Sequence, residues 1–160
     1  MAKVNLKELA EQIDFQMDEW SHFVDKRTGE VVSVMDEHLG YAEEPEEAPG
    51  RLADWEKDEI RRAAELLDRW DDLLPLPDKR RLDEYGMMED FIRTVPDVHI
   101  RDCLSVAIEG KGAFRRFKDT AIRFGVVDEW YRFKERALLS FARAWCEENE
   151  LSYEPEEDPS

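Results

Sequence analysis

The sequence predicts an α+β fold that is mainly α-helical. Three observations carry this reading. Apolar residues recur at three- and four-residue spacing over most of the 160-residue chain. One pair of β-branched and aromatic runs, near residues 21–35, flanks a short turn containing Gly29. Hydrophobic residues make up 42%, with five Trp and eight Phe, so the chain can bury a sizeable core. An N-terminal helix and hairpin are expected to pack with a C-terminal bundle of about four helices, in one domain over residues 1–150.

Each element has its own signal. Asn5 is a good N-cap, and Leu6, Leu9, Ala10, Ile13 and Met17 follow on one face, which predicts a helix over 6–18. Ser21–Asp25 and Glu30–Met35 then form the hairpin, with Gly29 in the left-handed position of its turn. A two-stranded hairpin alone is marginal in water. Leu73-Leu74-Pro75-Leu76 supplies a third strand, at an edge because Pro75 has no N–H to donate. Residues 36–54, rich in Asp, Glu, Pro and Gly, are expected to form a mobile acidic loop, either a solvated linker or a docking segment.

Helix resumes over 55–71, with Asp54 as cap and Trp55, Ile60, Ala63, Ala64, Leu67 and Trp70 on one face. Met87, Met88, Phe91, Ile92 and Val95 predict a helix that stops before Pro96. Asp97 caps the next helix, whose face is Ile100, Cys103, Leu104, Ala107 and Ile108, and Gly110 terminates it. A helix from Ala113 to Phe124 follows, with Phe114, Phe117, Ala121 and Phe124 expected in the core. Asp128 caps a long last helix with Trp130, Phe133, Ala137, Phe141, Ala144 and Trp145 inward. Residues 151–160 are expected to be an acidic, disordered tail.

Composition narrows the function classes. A net charge of −17 favours solubility and repels nucleic acid at long range. No apolar run is long enough to span a bilayer. The first residues read as a helix start, not a signal segment, so a cytoplasmic location without membrane association is expected. Two cysteines, Cys103 and Cys146, are too few for a disulfide scaffold and are expected to be buried thiols. His22, His38 and His99 are scattered, so no metal or other cofactor is expected.

The run Gly110-Lys111-Gly112-Ala113-Phe114-Arg115-Arg116-Phe117-Lys118-Asp119 stands out against this acidic background. Residues 111–136 hold eight Lys or Arg against four Asp or Glu. The combination of this run with Phe23-Val24-Asp25-Lys26-Arg27-Thr28-Gly29-Glu30-Val31-Val32, Met88-Glu89-Asp90-Phe91-Ile92 and Trp130-Tyr131-Arg132-Phe133-Lys134 resembles the bacterial uncharacterised protein family 0158, over roughly residues 5–149. The resemblance implies no activity and no catalytic residue.

Lys111, Gly112, Arg115, Arg116, Lys118 and Arg123 are therefore the candidate binding residues. Four readings of them are open. Asp119 meets Arg115 and Arg123 at four-residue spacing, so the charges can form helical ion pairs. Free N–H groups and the dipole at the helix start, with Lys111, Arg115 and Arg116, suit a phosphate or carboxylate. The Gly-containing turn between two helices resembles a helix-turn-helix, with Arg115, Arg116 and Lys118 facing nucleic acid. Finally, a basic helix in an acidic protein suits a protein partner. Glu89 and Asp90 are adjacent carboxylates, but helix neighbours point about 100° apart, which does not make an acid–base pair. A non-enzymatic interaction module is the leading expectation, then nucleic-acid or phosphate binding, then an enzyme on an unidentified substrate. The oligomeric state is not legible.

Overall fold

The computed structural model describes residues 2–154. The chain divides into two compact units, one built from the chain up to Lys79 together with the stretch from Ala142, the other from Arg80–Phe141. The architecture is mainly helical with a small antiparallel sheet, as the sequence predicts.

The first unit begins with a short strand, β1 (Val4–Asn5), and helix α1 (Leu6–Asp14). Asn5 is the N-cap, its side chain accepting from the Glu8 N–H at 3.1 Å. Leu6, Leu9, Ala10 and Ile13 form the buried stripe. The helix is shorter than the 6–18 expected, and Met17 lies exposed beyond its end. Strands β2 (Trp20–Asp25) and β3 (Val31–Met35) pair antiparallel, with Phe23 opposite Val32. β4 (Leu73–Pro75) pairs with the other side of β2, so the order is β3-β2-β4 and Pro75 sits at an edge.

Helices α2 (Asp36–Glu43) and α3 (Asp54–Asp68) cover this sheet. Phe23, Val34, Ala63, Leu66 and Leu73 form one buried cluster. Helix α2 replaces part of the loop expected over 36–54. Buried His38 holds it, with its ring edge-to-face on Trp55 at 6.2 Å. Tyr41 Oη adds a bond to Glu37 Oε1 at 2.7 Å within the helix. Asp54 is not the cap of α3. It is the first helical residue, and Glu56 Oε1 accepts from the Ala53 N–H instead. Trp55 and Trp70, expected inward, are largely exposed; each meets one neighbouring ring edge-to-face, Trp70 with Phe23 at 5.2 Å.

The hairpin is secured by two features. Asp25, only 2% exposed, accepts from the Arg27 N–H at 2.9 Å and pairs with Arg69. Burial pushes its carboxyl up, but these two donors outweigh burial and hold it below the usual carboxylate range. Gly29 has φ of 77°, and a Cβ there would lie 2.5 Å from the Lys3 carbonyl oxygen. The turn therefore needs glycine twice over, for its dihedral and for close approach of the N-terminal chain.

The second unit holds α4 (Glu84–Thr94), α5 (Val98–Ala107), α6 (Ala113–Arg123) and most of α7 (Val127–Glu148). Asp83 and Asp97 cap α4 and α5 through bonds of 3.1 Å to Gly86 N and Ile100 N. Asp128 is not the cap of α7 but lies in its first turn, where a carboxylate favours the helix dipole. Phe91, Phe117, Trp130 and Phe133 join α4, α6 and α7, with centroid separations from 4.9 to 6.4 Å. Ala144 of α7, expected inward, is exposed, whereas Trp145 and Cys146 are buried.

The chain after α7 turns back to the first unit's β1. Leu151 N donates to Cys146 O at 2.8 Å, and β5 (Tyr153–Glu154) pairs parallel with β1. The first four residues of the expected disordered tail are thus hydrogen-bonded; 155–160 lie outside the described residues. Among the described residues, no helix is long and apolar enough to cross a membrane.

Gly29→Ala should lower unfolding free energy by about 2 kcal/mol or more, the cost of a left-handed L-residue plus the clash; urea denaturation measures it. His22, 9% exposed, shares its Nδ1 with Ser33 Oγ at 2.6 Å, while its Nε2 is buried without a partner. Burial lowers its ionisation below the ordinary 6.5, against a smaller opposing pull from Asp36. The unfolded chain then takes up the proton first, so this contribution is complete above pH 6.5 and is lost as pH falls below it. Melting temperature should drop between pH 7.5 and 5.5, by less in His22→Asn.

Candidate functional site

Helix α6 is preceded by a turn over 108–112 in which Gly110 and Gly112 take φ of 75° and 78°. Gly112 is the N-cap of α6. Arg116, one turn into the helix, folds back across this turn. Its Nε donates to Ala107 O at 3.0 Å, and its Nη1 and Nη2 donate to Lys111 O and Glu109 O. The planar fork of a guanidinium suits three carbonyls spread around one turn, whereas an ammonium could not reach them together. A Cβ on Gly112 would stand 3.0 Å from Arg116 Nη1, so the glycine also makes room for this clamp. Arg116 is thus occupied by the protein's own backbone, which removes it from the expected anion site.

The other candidate side chains have different surroundings. Arg115 is almost fully exposed and stands 3.9 Å from Asp119 Oδ2, a weak surface pair. Lys111 is exposed in the turn. Lys118 Nζ lies 5.8 Å from the centre of the Tyr131 ring, and Arg123 lies over Phe124 at 5.1 Å. Lys118 and Arg123 thus each lie against an aromatic ring, and Arg115 pairs with a carboxylate.

Phe114 departs from its expected place in the core. It is 53% exposed, while Phe117, Ala121 and Ala113 are buried and Phe124 is half-buried. The buried sector of α6 is centred near Phe117, and Phe114 lies about 60° round the helix from it, at the margin. Phe114, Lys118 and Ile122 repeat at four-residue spacing and share a solvent-facing stripe, with Ile122 54% exposed. Half-exposed Tyr131 of α7 continues it through Lys118. The sequence reading missed this stripe. Its signal is an apolar residue at each end of one Phe-x-x-x-Lys-x-x-x-Ile register.

The opposite flank of α6 meets α5 in an open cleft of about 510 Å³, lined in part by Asp102, Cys103, Arg116, Thr120, Arg123 and Phe124. Cys103, expected to be buried, is only partly so. Its Sγ lies 3.8 Å from His99 Nε2. Cys146 is the buried thiol of the pair, and burial pushes it up to about 11. Glu89 and Asp90 face solvent, with Asp90 bonded to Arg93 of the next turn. Among the described residues, no group of three or more His, Cys, Asp or Glu is placed to hold a metal ion.

Fold and surface together define a mainly helical α+β protein with a solvent-facing stripe of aromatic, basic and aliphatic residues. The chain belongs to the Uncharacterised protein family (UPF0158), whose model matches residues 2–160. A UPF0158 protein of Pseudomonas aeruginosa is 28% identical over 76 residues, which are 47% of this chain and 50% of the relative. The match therefore spans half the length of that relative. No solved structure gives a significant match.

Arg116→Ala and Arg116→Lys should both destabilise, by roughly 1–3 kcal/mol, because carbonyls lose their donors and lysine cannot restore the fork. Arg115→Ala should stay within about 0.5 kcal/mol of wild type. Thermal melts of the three variants check the contrast.

Proposed function

We propose that this protein is a cytoplasmic, non-enzymatic interaction module, and that its partner is a protein segment carrying acidic residues beside apolar anchors. The observation that carries the reading is the exposed stripe of Phe114, Lys118 and Ile122 on α6, with Tyr131 beside it and Arg115 at its edge. Partly exposed aromatic rings next to cations favour a partner that buries apolar surface and pairs with positive charge. The strongly negative remainder of the chain would orient such a partner by repelling its acids from every other face. Both cysteines are free, which suits a reducing compartment.

Nucleic acid is the less favoured partner. Its backbone calls for an array of cations, and Arg116 is committed to the α5–α6 turn while Arg115 has an acidic neighbour. Apolar Phe114 and Ile122 also have no role in gripping a duplex phosphate.

The test is tagged capture from host lysate with wild type, Phe114→Ser/Ile122→Ser and Arg115→Glu/Lys118→Glu, followed by titration of the recovered protein. Both double variants should keep their melting temperature and weaken binding by roughly tenfold or more, as loss of an aromatic or charged anchor does. Unchanged affinity in both would remove the stripe from the interface. Nuclease-sensitive material whose binding falls steeply with salt would transfer the reading to nucleic acid.

A further inference from the structure

The cleft between α5 and α6 has its own chemistry, independent of the stripe on the other flank. His99, Cys103 and Val106 follow one another at four- and three-residue spacing, with Asp102 three residues after His99, and so share a face of α5. The volume, about 510 Å³, lies in the range of small-molecule sites. His99 Nε2 stands 3.8 Å from Cys103 Sγ, close enough for a hydrogen bond to sulfur. The imidazole is oriented by Phe124, edge-to-face at 5.7 Å, and the Arg123 guanidinium lies over that same ring. A partly accessible thiol, an apolar ring and a cation thus line one open space, and a proton acceptor stands beside the thiol.

Thiol–disulfide exchange needs an accessible sulfur, a place for its proton and space for the incoming disulfide. Cys103 is partly exposed, has His99 beside it and lines the cleft. What is missing is a second thiol to resolve the product. The chain has two cysteines, and Cys146 is fully buried in α7 with its thiol held protonated far above neutrality. Exchange at Cys103 therefore stops at the mixed disulfide.

We propose that Cys103 is a site of reversible mixed-disulfide formation with a low-molecular-weight disulfide that carries both carboxylate and ammonium groups. Cys103 gives its proton to His99 Nε2, and its sulfur attacks one sulfur of the incoming disulfide. A new S–S bond forms to Cys103 while the original S–S bond breaks. The departing thiolate takes the proton from His99 and leaves as a thiol. Cys103 is oxidised and one half of the disulfide is reduced, so no other oxidant is needed. Arg123 faces a carboxylate of the bound half, and Asp102 and Asp119 face its ammonium.

The probe is oxidised glutathione, compared with the neutral hydroxyethyl disulfide, on the native full chain, read by intact mass and peptide mapping. One adduct is expected, at Cys103 and not at Cys146. His99 and Arg123 are exposed, so His99→Gln and Arg123→Ala should fold as wild type does, which melting checks. His99→Gln should slow both reagents by roughly tenfold or more through loss of the proton acceptor. Arg123→Ala should slow glutathione and leave the neutral reagent unchanged. Absence of a native adduct, or equal rates in wild type and His99→Gln, would overturn the site. Equal effects of Arg123→Ala on the two reagents would overturn the ligand class.

Discussion

The second unit depends on the ring of Phe117. It is 1% exposed and meets Phe91 and Trp130 edge-to-face at 6.1 and 4.9 Å, so that α4, α6 and α7 share one aromatic cluster. Edge-to-face pairs add roughly 0.5–1.5 kcal/mol beyond the area they bury, and they fix ring orientation as well. Once Phe117 points inward, the rotation of α6 about its own axis is settled. Phe114, Lys118 and Ile122 must then face solvent, and Thr120 and Arg123 must face α5. The two exposed flanks of this helix are consequences of a single packed side chain.

Guanidinium groups do similar work in both units. In the first, Arg69 reaches Asp25 beneath the hairpin turn. In the second, Arg116 gathers the carbonyls at the end of α5. Each buries or covers polar groups that would otherwise be costly to remove from water. Arginine outnumbers lysine in this acidic chain, and two of the arginines are committed to holding tight turns in shape.

Much of this was legible in the sequence, and the misses share a cause. The Asn5 and Asp97 caps, the Gly29 turn, the edge strand at Pro75 and the stop before Pro96 all rest on local backbone chemistry, which a few neighbouring residues determine. Helix α2 was hidden because Asp36–Glu43 offers only the short apolar pair Leu39 and Ala42, and its helicity comes from packing these on the core, burying His38 and packing on α3. Helical spacing points Phe114, Trp55 and Trp70 inward, as large aromatic residues usually are; each lies at the margin of its helix's buried sector or at its end. The candidate site was legible as a region only. Which cation was committed to the backbone, and the meeting of His99 with Cys103, depend on side-chain directions that spacing permits without requiring.

The parallel pairing of β1 with β5 has a consequence for how the molecule opens. It joins segments almost the whole chain apart, and closing a loop that long carries an entropy cost that a two-residue ladder does not offset alone. The ladder forms because α1 and the end of α7 are already anchored by buried Val4, Leu6 and Cys146. It is therefore the seam where opening should begin. The amide proton of Val4, which bonds across the seam to Ser152 O, would exchange through its fraying, long before those of α4 or α6 report global unfolding.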